Sequence, residues 1–370
     1  MQVLLRDVAA RAGVSLATAS RVLSGGRAGV SVQSREAVAN AARELEYVPN
    51  AHAQALARAG SAHVGAILHD LSDPYFSEIV RGVQRAAVEA QRMVTVCNSC
   101  RDPERELACI ALLRSQHVGA LILTGSGLDD PSYRDRLAGQ IRAFAQSGGR
   151  AVFVGRHYIA GDAVLPDNIG GARALVHALA DLGHRRFAVI GGPPLLTATR
   201  DRLDGLRAGF ADRGIQLDDA NVVGGDFSRE GGVAGIAALQ ARGSDATCIV
   251  ALNDAMAIGA LSALRERGIR VPGDVSLAGF GDIPITRDVA PMLSTVHLPL
   301  MEMGERALRL ALEPRTDEVR VEHMPAHVVL RESTSAPKTA AEAWPMPFQP
   351  DVSGAIIKNA GAARGSAPSR

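Results

Sequence analysis

Cys97 and Cys100 form a C-x-x-C pair, a spacing that can support thiol redox chemistry or hold a metal ion. No second Cys or His pair follows at metal-ligand spacing, and Cys109 stands alone nine residues further on. Four cysteines are also too few for a disulfide framework in a chain of 370 residues. We therefore expect structural thiols, no metal site and no cofactor.

Other combinations that would indicate an enzyme do not stand out. We find no evident Ser/His/Asp set and no evident pair of catalytic carboxylates. A dinucleotide-binding enzyme would need G-x-G-x-x-G after its first strand, and the loop here reads HDLSDPYF, without glycine. The sequence therefore disfavours an enzyme.

The N-terminal stretch DVAARAGVSLATASRVL predicts two short helices and a third that packs on them. Leu5 begins an apolar pattern at i, i+3, i+4 and i+7, Gly13 suits a left-handed turn, and Ser15 suits an N-cap. Ser31 or Ser34 can cap the third helix. The buried faces of helices two and three are predicted to be Leu16, Ala19, Val22, Leu23, Val38, Ala41, Ala42 and Leu45. This is a helix-turn-helix pattern whose short outward side chains suit a DNA major groove, although an ordinary three-helix bundle fits it too.

Charge is uneven along a chain whose net charge is only +1. Residues 1–60 hold seven arginines against four acidic residues, which indicates either an acidic partner or a solvated basic face. No apolar run approaches the roughly 18 residues of a membrane span, and no signal peptide is evident. We therefore expect a cytoplasmic protein with no membrane partner.

After the helical unit, the stretch YVPNAHAQALARAG (47–60) reads as a short segment between domains. Pro49 ends the third helix, Asn50 can cap a new one, and Leu56 is its single large apolar residue. So short a helix is unstable alone in water. The segment is therefore either a plain linker or a helix that forms on contact with a partner.

From His63 onward, strands and helices alternate, which predicts parallel sheets. The alternation restarts after Pro166, so the sequence predicts an α/β fold with two successive doubly wound halves and ligand-competent loops at the strand ends. The Pro-, Ala-, Gly- and Ser-rich stretch 336–370 is expected to be disordered.

Several motifs in order give this sequence a specific resemblance to the lactose/galactose repressor (LacI/GalR) family of bacterial transcription regulators, over about residues 3–335. Besides the N-terminal stretch, they are SREAVANAARELEYVPNAHAQALA, DPYFSEIVRGV, PDNIGGARALVHALADLGHRRFAVIGG, NDAMAIGALSALRERGIRVPGDVSLAGFGDIP and LSTVHLPLMEMGERAL. The resemblance implies a helix-turn-helix domain (1–49), a hinge helix and linker (50–61) and an effector-binding domain of periplasmic-binding-protein type (62–335). Its N-subdomain would comprise about 62–164 and 296–324, and its C-subdomain about 165–295 and 325–335.

The resemblance implies a dimeric DNA-binding regulator, most simply a repressor of a palindromic operator, associated with the nucleoid. The second helix would read bases through Leu16, Ala17 and Arg21, while the residues placed for phosphate contact are Ser15, Thr18, Ser20 and Ser31. Residues 50–57 would form a hinge helix on the operator, capped by Asn50, with Leu56 as an apolar wedge between base pairs. Leu4 and the stretch SGGRAG (24–29) depart from the family pattern.

A sugar-like effector would bind in the cleft between the two halves, and the residues that the resemblance places there are Asp73, Tyr75, Phe76, Arg156, Arg202, Phe227, Asn253, Asp254 and Asp282. For Tyr75, Arg202 and Phe227, ordinary packing or a structural ion pair remains open. Gly155 and Gly281 replace acidic residues that are common in the family, which makes a typical neutral sugar less certain. A solute-binding protein without a DNA role is the alternative function, but residues 1–60 speak against it.

Overall fold

The structure is a computed structural model that describes residues 3–23, 29–47, 63–314, 316 and 318–338. The predicted hinge and linker (50–61) lie outside the described residues, as do residues 24–28 and all but the first three residues of the predicted tail.

Three helices form the N-terminal domain: α1 (Leu5–Ala12), α2 (Leu16–Leu23) and α3 (Val32–Glu44). Gly13 ends α1 in the left-handed conformation, with φ of 65°, because glycine adopts it without steric cost. The small core that joins the helices comprises Val8, Ala9, Ala19, Val38 and Ala41. The predicted helix-turn-helix pattern is therefore confirmed, with one correction: Leu16, predicted on the buried face of α2, is 53% exposed.

The rest of the described chain divides into two compact units. The first includes residues up to 171 together with 194–205 and 297–327, and the second comprises 172–193, 206–296 and the residues from 328 onward. These ranges differ from the predicted subdomains chiefly at 194–205, which contact the first unit although they follow a strand of the second.

The first unit contains a six-stranded parallel sheet in the order β2-β1-β3-β4-β5-β11. The strands are β1 (His63–Leu68), β2 (Met93–Asn98), β3 (Ala120–Thr124), β4 (Arg150–Val154), β5 (Asp162–Pro166) and β11 (Val321–Met324). Sequence analysis did not identify β5 or β11 as strands, because both have mixed burial and so lack a clear apolar run.

Four helices accompany this sheet: α4 (Pro74–Glu89), α5 (Pro103–Ser115), α6 (Pro131–Gln146) and α11 (Leu300–Leu312). Each of the first three begins with an aspartate N-cap followed by proline, which fixes where the helix starts. Helix α6 was not identified from sequence. Its packing against β4 contributes Leu137 and Phe144 to a core shared with Leu121 and Phe153.

The second unit contains a four-stranded parallel sheet in the order β7-β6-β8-β9, which repeats the 2-1-3-4 order of the first. Its strands are β6 (Phe187–Ile190), β7 (Val222–Val223), β8 (Cys248–Ala251) and β9 (Ser276–Ala278), and its helices include α9 (Arg229–Ala241) and α10 (Asp254–Glu266). Helices α7 (Asn168–Asp181) and α8 (Thr197–Asp212) begin in the first unit and end in the second. Strands β10 (Thr295–His297) and β12 (His327–Val329) pair where the chain passes between units. The fold is therefore α/β with two doubly wound sheets, as predicted.

Candidate functional site

The outward face of α2 is the candidate base-reading surface. Leu16, Ala17 and Arg21 are all exposed, whereas Ala19 is completely buried. Leu16 is therefore available for contact outside the domain, in agreement with the family resemblance and against the simple apolar periodicity. A guanidinium beside two apolar side chains can pair with guanine and contact a thymine methyl group.

The hydroxyl residues placed for phosphate contact have local roles in the structure. The backbone N–H of Thr18 donates to Ser15 Oγ at 3.2 Å, and the two hydroxyl oxygens lie 2.9 Å apart. Ser31 caps α3, because the backbone N–H of Ser34 donates to its Oγ at 3.1 Å. Ser20 is half-buried. Ser15 and Ser31 remain exposed, so both can still contact a phosphate.

The departure from the family pattern at Leu4 leaves α1 without a side-chain N-cap. Leu4 has no side-chain oxygen to cap the helix, but its own backbone N–H donates to Asp7 Oδ2 at 2.8 Å. Only half of a capping box is therefore made. The hinge residues Asn50 and Leu56 lie outside the described residues.

The first unit brings three candidate effector residues together at the carboxyl edge of its sheet, next to the point where strand order reverses between β1 and β3. Asp73 caps α4 directly after β1, and Arg202 lies in the first part of α8. The Arg202 guanidinium hydrogen-bonds the Tyr75 hydroxyl, and its Nε donates to Asn168 Oδ1 at 2.9 Å. In doubly wound sheets such a switch point is where ligands bind.

Charge at this edge is closely balanced. Arg101 Nη2 lies 3.4 Å from Asp73 Oδ2, while Asp73 Oδ1 accepts from the backbone N–H of Tyr75 at 3.0 Å. Burial raises the pKa of Asp73, although the hydrogen bond from Tyr75 and the charge of Arg101 act in the opposite direction. Burial likewise raises the pKa of the Tyr75 hydroxyl, which stays protonated and can donate to a ligand.

Two other candidates in this unit have well-defined protein partners. Arg156 follows β4, and its Nε donates to Asp201 Oδ2 at 3.0 Å in a bidentate pair. This hydrogen bond raises the pKa of Arg156 further. Phe76 is only 6% exposed and packs in a core with Leu68 and Val80. The contacts thus favour a supporting role for Phe76.

In the second unit, Asn253 and Phe227 lie together. Asn253 caps α10, where its Oδ1 accepts from the backbone N–H of Met256 at 2.9 Å. Its Nδ2 donates to the carbonyl oxygen of Phe227 at the same distance. Phe227 has φ of 67°, a left-handed conformation that costs free energy for a non-glycine residue, and this hydrogen bond helps to hold it there.

Asp254 and Asp282 are occupied by structural contacts. Asp254 is 1% exposed and accepts from Thr295 Oγ1 at 2.6 Å and from the backbone N–H of Ile283 at 3.0 Å. Asp282 Oδ1 accepts from Arg331 Nη2 at 2.6 Å, and its Oδ2 accepts from Arg287 Nη2 at 3.0 Å. These contacts favour roles in shaping the loop after β9 over direct ligand contact.

Sequence reasoning missed Arg101, Asn168 and Arg331. Arg101 could have been suspected, because it follows a strand at the same sheet edge as Asp73 and precedes the N-cap of α5. Asn168 stands at the start of α7, well separated from Arg202 along the chain. Arg331 is linked to Asp282 only by tertiary structure, so no local pattern could have revealed it.

Within the described part of the chain, no group of three or more His, Cys, Asp or Glu side chains could hold a metal ion. A search of the same residues finds no helix that is long and apolar enough to cross a membrane.

Comparison with family models identifies two segments. Residues 4–50 match a model described as bacterial regulatory proteins, lacI family, and residues 176–334 match one described as a periplasmic binding protein-like domain. The first match covers the three N-terminal helices, and the second covers most of the second unit and the last two segments of the first.

Individual proteins extend the similarity over most of the chain. The transcriptional regulator GalS of Salmonella typhimurium is 35% identical over 312 residues, which are 84% of this chain and 89% of GalS. Among solved structures, the lac repressor dimer bound to operator and the anti-inducer ONPF is 28% identical, with a TM-score of 0.77, and the match covers 91% of this chain and all of that one. The complex of the regulator CelR with cellobiose is 31% identical, with a TM-score of 0.67, and covers 90% of this chain and all of its own.

Proposed function

Because this chain belongs to the LacI family of bacterial regulatory proteins, we propose that it represses transcription as a dimer on a roughly palindromic operator, under the control of a sugar-like metabolite. Like its relatives, the chain is a DNA-binding transcriptional regulator with an effector-binding domain, and it is not an enzyme. A regulator of this kind acts at the chromosome, so the proposal places it in the cytoplasm, on the nucleoid.

The single observation that carries the DNA-binding part is the exposed face of α2. Leu16 is 53% exposed beside the exposed Ala17 and Arg21, so α2 presents two apolar side chains and a guanidinium outside the domain. Insertion of α2 into a major groove would place these three side chains against base edges. One such domain reads a half-site, and the lac repressor similarity supports a two-fold symmetric pair.

The effector-binding part rests on side chains at the carboxyl edges of the two sheets. We assign direct contact to Asp73, Tyr75, Arg202, Phe227 and Asn253, since each is near a sheet edge and carries an aromatic ring or a hydrogen-bonding group. We also assign direct contact to Arg156, whose guanidinium is held in position by its pairing with Asp201. By their contacts, Phe76, Asp254 and Asp282 support these residues.

The resemblance also assigns residues 50–57 to a hinge helix that contacts the minor groove, with Leu56 as its wedge. These residues lie outside the described part of the chain, so measurements of operator and effector binding test this part of the proposal. Leu56→Ala should greatly weaken operator binding and leave effector binding without DNA nearly unchanged.

The experiment that tests the proposed function is selection of bound duplexes from a randomised pool, followed by thermal-shift screening against sugars and nucleosides. We expect inverted repeats among the selected sequences, and we expect one panel compound both to raise the melting temperature and to change operator affinity. The proposal would be contradicted if no sequence were enriched, or if the enriched sequences were single half-sites bound by monomers. A compound that binds tightly without any effect on DNA affinity would favour a solute-binding protein.

A further inference from the structure

Three of the four cysteines gather on one side of the first sheet. Cys97 lies on β2, which is an edge strand, and Cys109 lies on α5, the next helix along the chain. Both are partly buried against the core that includes Ile110 and Leu121. Strand β2 and helix α5 are in contact, and Cys97 is the side chain that acts most strongly on the Cys109 thiol.

Cys100 completes the cluster from the loop that joins β2 to α5. It is exposed, has φ of 54°, and its backbone N–H donates to Asn98 Oδ1 at 3.2 Å. The fourth cysteine, Cys248, is buried on β8 in the second unit. The chain therefore presents two neighbouring, partly buried thiols, one exposed thiol close to them and one thiol in the other unit.

We propose that Cys97 and Cys109 are an oxidation site that peroxide converts to an intrachain disulfide. The Cys97 thiolate attacks hydrogen peroxide, which leaves a sulfenic acid on Cys97 and releases hydroxide. The Cys109 thiol then displaces the sulfenic oxygen as water and forms the sulfur–sulfur bond. In sum, two thiols are oxidised to one disulfide, and one peroxide is reduced to two water molecules.

The surroundings of the two cysteines indicate which of them reacts with peroxide first and which reacts second. Burial raises the pKa of Cys109 to about 11, and the neighbouring Cys97, Glu106 and Cys100 act in the same direction. Cys109 is thus almost entirely protonated at neutral pH, so it acts second, as the resolving thiol. Partial burial of both sulfurs slows the first step and protects the sulfenic acid from further oxidation.

The disulfide would close a ring that contains the loop after β2. This loop holds Arg101, whose guanidinium pairs with Asp73 and whose backbone N–H donates to the carbonyl oxygen of His69. Oxidation would therefore fix the position of a side chain that contacts a candidate effector residue.

The test uses the full-length protein, treated with hydrogen peroxide and then alkylated. Before alkylation, we expect the intact mass to fall by about 2 Da, as loss of two hydrogens requires. Trypsin should then release peptide 93–101 joined to peptide 106–114, since arginines at 92, 101, 105 and 114 set these cleavage sites. Because peptide 93–101 contains both Cys97 and Cys100, variants must identify the bonded sulfur.

The linked peptides should persist in Cys100→Ser and Cys248→Ser and disappear in Cys97→Ser and Cys109→Ser. Cys97→Ala and Cys109→Ala provide a second set, and thermal melting under reducing conditions shows whether each variant folds. Absence of the mass loss, a bond within peptide 93–101, a link that survives in Cys97→Ser, or a covalent dimer on a non-reducing gel would each overturn the proposal. As an independent readout, peroxide should raise the melting temperature of the wild type but not of Cys109→Ser.

Discussion

Gly82 on α4 lies directly against the main-chain carbonyl of Met301 on α11, so close that a β-carbon at Gly82 would overlap that oxygen. The contact is reciprocal, because Gly304 on α11 lies in the same way against the carbonyl of Ile79. The second unit repeats the arrangement between α9 and α10, through Gly232 and Gly259. In each unit, two helices therefore pack so closely that their backbones are in direct contact.

Gly82→Ala should destabilise the protein by about 3 kcal/mol or more, because the added methyl group must force two helix backbones apart. The matched control is Gly139→Ala on α6, where the new methyl group would meet only the end of Arg142 at 4.0 Å. That change should be neutral or stabilising by roughly 0.5–1 kcal/mol, since alanine favours a helix over glycine. Urea unfolding measures both, and equal effects of the two variants would contradict the packing argument.

Tyr133→Phe should cost about 1.5–3 kcal/mol, because the Tyr133 hydroxyl donates at 2.6 Å to the buried carboxylate of Glu106. Burial opposes ionisation of Glu106, but the hydrogen bond and charge of His69, 3.3 Å away, together with Tyr133, hold its pKa below the ordinary value. This contribution to stability is present above about pH 4.5 and is lost as pH falls through the lowered pKa.

The variant should therefore lose less stability than the wild type between about pH 4.5 and 3. Urea titrations across that range measure the difference. A parallel pH dependence in both proteins would show that Tyr133 does not stabilise the charged form of Glu106.

His184 should make the protein less stable as pH falls below about 6.5. The ring is completely buried, with Nε2 2.9 Å from the carbonyl oxygen of Ser335 and Nδ1 2.9 Å from Thr247 Oγ1. Burial lowers the pKa of His184, so the unfolded chain binds a proton at a pH where the folded chain does not. Stability therefore decreases with falling pH, by at most about 1.4 kcal/mol per pH unit for one group.

His184→Gln should show a shallower decrease between about pH 7 and 5.5, whatever its stability at neutral pH. His117→Gln, at an exposed position, is the control and should keep the wild-type slope. If the slope is unchanged in His184→Gln, the pH dependence originates elsewhere, and the partly buried His157, whose pKa burial also lowers, is the next group to replace.

Arg21→Ala should weaken binding to the selected operator by about 1–3 kcal/mol and relax preference at a single base pair. Arg43→Ala on α3 is the control, since Arg43 is exposed but donates to Asn40 within its own helix. Fluorescence anisotropy on operators substituted one base pair at a time measures both effects. Uniform weakening on every sequence would make Arg21 a phosphate contact instead of a base contact.

Arg202→Gln should weaken effector binding at least about tenfold, the usual cost of one charged hydrogen bond, and leave operator binding without effector intact. Because Arg202 is 4% exposed, Asn168→Ala provides a milder second change that removes its hydrogen-bond acceptor. Arg200→Gln is the neighbouring control, since Arg200 pairs with Asp129. Calorimetry with the compound found by thermal shift distinguishes the three, and an unchanged affinity in Arg202→Gln would remove Arg202 from the site.

Local sequence patterns predicted the features that depend on short-range order. The caps at Ser15 and Ser31, the turn at Gly13 and the alternation of strands and helices all follow from residues within a few positions of one another. Periodicity failed at Leu16, because an apolar side chain that serves an external surface looks the same in sequence as one that serves the core.

Features that depend on distant residues could not be predicted in this way. The pairing of β11 with β5 and the ion pair between Arg331 and Asp282 join positions far apart in the chain. The family resemblance named candidate effector residues, but only the contacts separate Tyr75, which bonds Arg202, from Asp254, whose oxygens both accept from protein groups.

The first unit is assembled from three separate stretches, and the last of them, His297–His327, supplies α11 and β11. More than 200 residues separate α4 from α11 along the chain. Helix α11, which packs against Gly82 of α4, therefore leaves the ribosome long after α4. Neither unit can be expressed as one uninterrupted fragment. Loop closure over such separations slows folding, so we expect the nascent first unit to depend on chaperones until α11 and β11 have been synthesised.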